Sequence, residues 1–227
     1  MTRPATFILS VAAALLASAL SAEAADRTQE LDAKHKACLE RIAEDQDLAF
    51  EEAMIWRDQG GGRRARHCEA MALFALGHES QAAYRLDTLA ESRDGGSAEM
   101  RANFRSEAAN FWLAAGEADQ AHASATAGLA HEDDHAALRI TRARASVMRG
   151  DIRAAETELS HVVSDDPDNA EALRYRADVR LRQDRLAAAH QDIEAALIAD
   201  PASVETALMR GRIVEAIRLA NVAPAER

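Results

Sequence analysis

The chain has 227 residues and carries 38 acidic against 27 basic side chains, which gives a net charge of -11 at pH 7. An acidic protein repels phosphate backbones and anionic lipid surfaces, so general nucleic-acid or anionic-membrane binding is disfavoured. Aromatic residues make up only 4% of the sequence, which leaves few side chains on which nucleobases could stack.

The N-terminal segment 1–24 has the layout of a secretory signal peptide. Arg3 supplies a basic start, an apolar run follows from residue 7 to residue 20, and small residues precede Asp26. The run is shorter than the ~20 apolar residues that a membrane-spanning helix needs. We therefore expect cleavage of residues 1–24, which leaves no membrane span and a periplasmic or secreted chain. A retained N-terminal anchor is the alternative.

The rest of the chain is predicted to be all-helical. No proline interrupts residues 5–166, and helices tolerate best the long stretches rich in Ala, Leu, Arg and Glu that fill this range. No extended alternation of β-branched residues indicates a strand. The first helical stretch, residues 25–62, is predicted to hold two helices, near residues 30–44 and 48–58.

Residues 58–70, DQGGGRRARHCEA, combine three glycines, three arginines and a His-Cys pair. A phosphate-binding loop needs a preceding strand and a Gly-Lys-Ser/Thr ending, and both are absent. Gly60, Gly61 and Gly62 instead fit a corner between two helices, because glycine just past a helix end adopts the left-handed conformation that the cap requires. The segment therefore predicts a turn and no phosphate site.

Rare residues recur at one fixed step in the second half of the chain. Pro167 and Pro201 each follow an aspartate, and the step between them is repeated from Gly116 to Gly150 and from Gly150 to Asp184. That step matches the period of about 34 residues that is typical of repeats in which each unit forms one helix-turn-helix. The aligned units are 63–96, 102–135, 136–169 and 170–203. Small residues occupy the eighth and twentieth positions of the units, where two helices would cross closely. These residues are Ala70, Ala109, Ala143 and Ala177, and Ala82, Ala121, Ala155 and Ala189.

These units resemble the tetratricopeptide repeat family, and unit 136–169 resembles it best, with Gly150 in the turn, Ala155 at the helix crossing and Pro167 at the corner. The family's aromatic residue near the start of the first helix is replaced by Arg66, Arg105, Arg139 and Arg174. The resemblance implies an all-α, right-handed solenoid of helical hairpins with a concave groove for peptides or partner proteins. Its ends would be residues 25–62 as a degenerate first repeat, residues 204–220 as a capping helix and residues 221–227 as a tail.

Cys38 and Cys68 are the only cysteines, an even number in a chain predicted to reach an oxidising compartment. In the repeat register they lie in the first helices of consecutive hairpins. Such helices pack side by side, which would bring the two sulfur atoms within bonding distance. A structural disulfide is favoured, and two buried free thiols or redox or metal chemistry are the alternatives. The absence of CxxC spacing weakens the redox alternative.

No segment of the sequence indicates a catalytic site, a cofactor or a metal site. His131 and His135 have acids between them, but they fall at the corner between two repeats, where helical spacing ends, and they predict a solvated turn. Nucleophile-elbow, zinc-protease and paired-carboxylate motifs are absent from the sequence. The chain is therefore predicted not to be an enzyme.

Binding residues are predicted from the positions that line the concave wall in the resembled family. Those positions carry Asn103, Ser106, Asn110, Thr141, Arg144, Arg174, Tyr175, Asp178 and Arg212. Amides, arginines and a tyrosine suit an extended peptide, through backbone hydrogen bonds and bidentate contacts with carboxylates. The family's carboxylate clamp is only partly present, because Ser106 and Thr141 replace two of its residues, so its C-terminal peptide ligand is not predicted.

The sequence thus predicts a non-catalytic scaffold of the cell envelope that binds a protein or peptide partner in its groove, as an adaptor or assembly factor. No nucleic-acid partner and no cofactor are expected. The alternative function is structural, with apolar ends or faces that associate with copies of the same chain into homo-oligomers.

Overall fold

The computed structural model describes the backbone of residues 5–222 and the side chains of residues 25–222. Over that range the chain forms eleven α-helices and no strand, which confirms the predicted all-α class. The helices are α1 (Ala5–Glu44), α2 (Gln46–Asp58), α3 (Gly62–Ala75), α4 (Glu79–Glu91), α5 (Ala98–Ala114), α6 (Ala118–Leu129), α7 (Ala136–Met148), α8 (Ile152–Asp165), α9 (Ala170–Arg182), α10 (Leu186–Ala199) and α11 (Val204–Val222).

The two ends of the chain are only partly covered by this description. The side chains of the predicted signal peptide and residues 223–227 of the predicted tail lie outside the described residues. Both assignments therefore stay predictions. Within the described part of the chain, no helix combines the length and the apolar character that crossing a membrane requires.

The helices form two compact units, Met1–Gly77 and His78–Arg227. We refer to them as unit 1, with α1 to α3, and unit 2, with α4 to α11. The division falls in the turn after α3. The two helices of the predicted repeat 63–96 therefore belong to different units, whereas the three later predicted repeats lie within unit 2.

Unit 1 packs its three helices around a small core that includes Trp56. α2 and α3 meet at the glycine-rich corner, where Gly60 and Gly62 have φ of +87° and +60°. A Cβ atom on Gly61 would lie 2.6 Å from the indole nitrogen of Trp56, so a side chain there would displace the aromatic ring. The glycines are thus used as a corner between helices, because left-handed backbone favours glycine and the buried indole needs the space.

A disulfide joins Cys38 on α1 to Cys68 on α3, as the favoured prediction states. The two Cα atoms are 6.3 Å apart, and both cysteines belong to the core of unit 1. The Nε2 atom of His35 lies 2.9 Å from Nδ1 of His67, one helical turn before the bridge on α1 and next to it on α3. The bridge closes a segment that contains the whole of α2, so it restricts the unfolded state of unit 1.

Unit 2 consists of helical hairpins. α5 pairs with α6, α7 with α8, and α9 with α10, while α4 packs on α5 and α11 packs on α10 and α9. The first helices α5, α7, α9 and α11 also contact one another in chain order. Unit 2 is therefore an α-solenoid of helical hairpins that ends with α11, which confirms the predicted fold class.

The turns inside the hairpins explain why three residues recur at one fixed step along the sequence. Gly116, Gly150 and Asp184 each follow a first helix and have φ of +79°, +83° and +58°. A Cβ atom on Gly116 or Gly150 would meet no atom within 4 Å, so glycine occurs there for its backbone conformation and not for space. Asp184 adopts the same conformation at the third turn, which short polar side chains tolerate better than most.

The alanines at the eighth and twentieth positions of the units are fully buried, as the repeat register predicts. Those of the hairpins in unit 2 are Ala109, Ala143, Ala177, Ala121, Ala155 and Ala189, and each has no exposed surface. Side chains without further atoms let the two helices of a hairpin approach closely. Gly211, at the eighth position of α11, is exposed instead, because no second helix packs on that side of α11 within the described residues.

Arg105, one of the arginines at the family's aromatic position, is buried and forms a polar network with Asp87 of α4. Its two terminal nitrogens bind Asp87 and Glu91 at 2.6 Å each. The carboxylate of Asp87 also accepts a hydrogen bond from Trp112 Nε1 at 2.8 Å and one from Ser124 Oγ at 2.7 Å. A single carboxylate thus links α4, α5 and α6, so an ion pair replaces the apolar contact expected from the family.

Candidate functional site

The nine predicted binding residues all lie in unit 2, on the first helices α5, α7, α9 and α11. We call the surface of these four helices that carries them the groove face. Ser106, Thr141 and Asp178 are at least nine-tenths buried there. The other six are partly or fully exposed and supply the accessible polar groups of this face.

One end of the groove face is fixed by His135. Its Nδ1 atom accepts a hydrogen bond from the amide of Leu138 at 3.4 Å and so caps α7. The Nε2 atom then carries the proton, and it donates to Oδ1 of Asn103 on α5 at 3.1 Å. The turn between the two hairpins therefore positions a predicted binding residue. Among the described residues, no group of three or more His, Cys, Asp or Glu side chains is arranged to hold a metal ion.

Asn110 connects α5 to α7 in the middle of the groove face. Its Oδ1 atom accepts hydrogen bonds from Arg144 Nη1 at 2.9 Å and from Thr141 Oγ1 at 3.3 Å. Its amide nitrogen donates to the carbonyl oxygen of Ser106 at 3.0 Å. Asn110 and Arg144 occupy the same position of successive repeats, so this contact follows directly from the repeat register.

Tyr175 lies between two arginines. The guanidinium carbon of Arg174 is 4.2 Å from the centre of the tyrosine ring, and that of Arg144 is 5.2 Å from it. A guanidinium near an aromatic ring is attracted by the negative ring face, at about 0.5–1 kcal/mol for exposed pairs. These contacts hold two positive charges on the same part of the groove face.

Asp178 provides the only carboxylate among the predicted binding residues. Arg182 Nε donates to Oδ2 at 2.6 Å, and Arg212 Nη1 of α11 lies 3.6 Å from Oδ1. The residue is 9% exposed, and Oδ1 is a buried oxygen that accepts no hydrogen bond from the described residues. Both carboxylate oxygens thus face guanidinium groups, which offset the cost of burying this charge.

A cavity of about 210 Å³ opens on the groove face between α5, α7, α8 and α9. Apolar side chains supply most of its lining, and two arginines, Tyr175 and Asp178 supply the polar part. The lining residues are Leu113, Ala143, Arg144, Val147, Met148, Leu159, Tyr175, Asp178, Val179 and Arg182. Pockets of this kind, apolar with a few placed polar groups, are typical of ligand sites.

Seven of the ten lining residues were not predicted for the groove, and four of these seven are Leu113, Val147, Met148 and Arg182. They occupy the twelfth and thirteenth positions of their repeats, one helical turn after the ninth-position residues Asn110, Arg144 and Asp178 and on the same helix faces. The predicted set contained polar side chains only, so the apolar members and Arg182 were missed. Their positions in the repeat register could have identified them from the sequence.

A family model described as tetratricopeptide repeat matches residues 113–179. The matched segment contains two of the left-handed turns, at Gly116 and Gly150, and every residue of the cavity except Arg182. Within residues 113–179 the chain carries tetratricopeptide repeats. The matched residues run from the end of α5 into α9 and include the whole α7–α8 hairpin. A comparison with curated proteins found none that matches the chain.

Solved structures similar to this chain include proteins described as tetratricopeptide repeat proteins. The first TPR domain of the human RPAP3 protein has 22% sequence identity and a TM-score of 0.51, and the match covers 54% of this chain and 96% of that chain. A MamA RS-1 double mutant has 14% identity and a TM-score of 0.63, with coverage of 76% and 94%. A tetratricopeptide repeat protein from Parabacteroides merdae has 18% identity and a TM-score of 0.56, with coverage of 71% and 65%. At these identities the similarity shows the fold.

Proposed function

We propose that this protein is a non-catalytic scaffold whose groove face binds a peptide segment of a partner protein in the cell envelope. The observation that carries the proposal is the concentration of positive charge on that face. Arg144 and Arg174 contact the ring of Tyr175, and Arg182 and Arg212 ion-pair with Asp178, in a chain whose net charge is -11. A local field opposite in sign to that of the whole protein favours a partner segment with negative charge.

The compartment is part of the proposal, and two features support it. The segment 1–24 has the composition of a secretory signal, and the Cys38–Cys68 disulfide is a bond that persists in oxidising compartments. An envelope location would expose the groove face to exported proteins or to the exposed segments of membrane proteins. A partner in that compartment is therefore where the search should start.

The test compares partners that are crosslinked to the protein in native envelopes and identified by mass spectrometry. The groove variant is Arg144→Glu/Arg174→Glu, which reverses two charges beside Tyr175. The matched control is Arg153→Glu, an exposed arginine on α8 that lies away from the groove face. Circular dichroism of each purified variant verifies that the helices and their melting are retained.

We expect a specific partner to be lost from the groove variant and retained by the Arg153→Glu control. Retention of the same partner by both variants would contradict the proposal, because reversing two charges on the binding face must weaken a charged ligand. Identification of crosslinked residues in the wild-type complex adds an independent criterion. In a groove complex the crosslinks lie on α5, α7, α9 and α11.

A second candidate function is self-association, and a specific surface favours it. The side of α11 that faces away from α9 and α10 carries Val204, Leu208, Leu219 and Val222, each more than half exposed. Gly211 lies on the same side and would admit a close helix contact. Light scattering distinguishes the candidates. A monomeric wild type excludes this function, whereas an oligomer that Leu208→Glu converts to a monomer supports it.

A further inference from the structure

The outer side of α11 differs from what the end of a repeat protein requires. A terminal repeat needs a polar outer face, because an apolar one leaves the side that would contact the next repeat exposed to water. On this side of α11 four aliphatic side chains are more than half exposed, namely Val204, Leu208, Leu219 and Val222. The opposite side of the helix packs on α9 and α10 through Ile213. A contiguous exposed apolar surface of this kind is typical of an interaction site.

The exposed residues form one line along the helix, which we call the outer stripe. Its members follow one another at intervals of three or four residues, so they lie on the same helix face. They are Val204, Leu208, Gly211, Glu215, Leu219 and Val222, and all six are exposed. From either end the stripe begins with a valine followed by a leucine, and the glycine and the glutamate occupy the middle. The order of its aliphatic members is therefore palindromic.

This order matches a second copy of the same helix that runs in the opposite direction. Two-fold symmetry sets Leu208 against the partner's Leu219, and the outer valines of the two copies meet beyond the leucines. Gly211 then faces the partner's Glu215. A Cβ atom on Gly211 would meet no atom within 4 Å, so the space beside it is open to the glutamate side chain. Each contact occurs twice, as in every isologous interface.

The glutamate determines the direction of the two helices, because the aliphatic residues would match in either direction. In a parallel pair the two Glu215 side chains would face each other in the middle of the stripe, and the juxtaposition of like charges costs free energy. In an antiparallel pair each Glu215 faces a glycine instead. It also keeps its own ion pair with Arg218, in which Nη2 and Oε1 are 2.7 Å apart. The charges thus favour the antiparallel arrangement.

We propose that α11 binds the α11 helix of a second copy of this chain, antiparallel and along the outer stripe, and so forms a two-fold symmetric dimer. The inference rests on the self-association proposed above and specifies its surface and direction. A helix of 19 residues is about 28 Å long, so one helix from each copy gives an interface at the low end of the specific size range. We therefore expect a dissociation constant of about 10 µM.

Sedimentation velocity of the purified full chain, at about 1 to 300 µM protein, measures the association. We expect a reversible monomer–dimer equilibrium without larger species, because an isologous contact uses the same surface on both copies and leaves none free. A protein that stays monomeric up to the highest concentration would overturn the inference. Growth beyond the dimer would overturn it as well, since it requires a contact between two different surfaces.

Two variants and their mixture test the direction of the helices. Leu208→Lys and Leu219→Glu should each weaken the dimer at least about tenfold, since each places two charges against leucine side chains. In an equimolar mixture, an antiparallel heterodimer has one pair of the introduced lysine and glutamate and one unchanged contact between leucines. The mixture should therefore associate at least about tenfold more tightly than either variant alone. A parallel pair restores neither contact.

The matched control is Ile55→Lys, which introduces the same charge at an exposed aliphatic residue of α2. It should dimerise like the wild type, and circular dichroism verifies that every variant is folded. Failure of the two folded variants to associate in the mixture would refute the antiparallel arrangement. Loss of the dimer in the control would refute the assignment of the interface to α11.

The proposals fail in different ways. If the wild type dimerises but the mixture of variants does not recover, self-association stands and the arrangement of the helices is wrong. If the wild type is monomeric, both are wrong. Neither result affects the groove proposal, whose test is the loss of a partner from Arg144→Glu/Arg174→Glu.

Discussion

Replacing Asp87 with alanine would test how far unit 2 depends on one carboxylate. The substitution removes the principal partner of Arg105, whose side chain is 9% exposed, and leaves it only Glu91, which is 72% exposed. Breaking a buried ion pair from one side costs about 3–5 kcal/mol, because the remaining charge stays buried. Trp112 and Ser124 lose hydrogen bonds as well. We therefore expect a loss of about 4 kcal/mol.

Thermal and urea denaturation followed by circular dichroism measures this loss. For a unit of this size, about 4 kcal/mol corresponds to a decrease in Tm of roughly 8–16 °C. Asp87→Asn should give an intermediate value, since an amide oxygen still accepts from Trp112 and Ser124 but leaves the guanidinium charge without its counterion. The matched control is Asp119→Ala, which removes an exposed ion pair with Arg149 and should cost less than about 1 kcal/mol. Equal losses for Asp87→Ala and Asp119→Ala would refute the reasoning.

Two further predictions concern the Cys38–Cys68 disulfide and the stability of unit 2 at acid pH. Reduction of the disulfide, or the double variant Cys38→Ser/Cys68→Ser, should destabilise unit 1 by about 3.6 kcal/mol according to the chain-entropy relation. Amide hydrogen exchange of α2 and α3 measures this loss of stability. Unchanged exchange rates would contradict the prediction. Burial opposes ionisation of Glu156, but hydrogen bonds from Arg180 and Arg185 outweigh it and hold the pKa of this carboxyl below its ordinary value of 4.5. Unit 2 should therefore lose stability as the pH falls below about 4.5 through the folded-state pKa, and melting curves of Glu156→Gln should show a shallower acid loss than the wild type.

The repeat architecture of unit 2 could be predicted from a few residues. Gly116, Gly150 and Asp184 marked the turns because the same left-handed backbone recurs at each of them. The prediction of the helix bounds was incomplete where side-chain hydrogen bonds, rather than the backbone repeat, set the end of a helix. α5 begins at Ala98, ahead of the register start at residue 102, because Ser97 Oγ accepts a hydrogen bond from a backbone amide and extends the helix backwards.

The candidate site was predicted only in part, for a physical reason. The register placed Asn110 and Arg144 at equivalent positions, and their contact follows from that. The cavity instead depends on how Leu113, Val147 and Leu159 fill the space between four helices, and helix spacing does not specify such packing. The sequence also left the state of the two cysteines open, since bonding required α1 and α3 to pack side by side.

The ninth-position residues, Asn110, Arg144, Asp178 and Arg212, form two contacts, one between an amide and an arginine and one between a carboxylate and an arginine. Excising residues 136–169 would set Asn110 against Asp178, and its amide would then have to rotate and give up the bond that Nδ2 donates to the Ser106 carbonyl oxygen. Excising residues 136–203 would set Asn110 against Arg212 and restore an amide–arginine contact. The modular element of this scaffold is therefore a pair of repeats, and shortened or lengthened versions should be designed in steps of two.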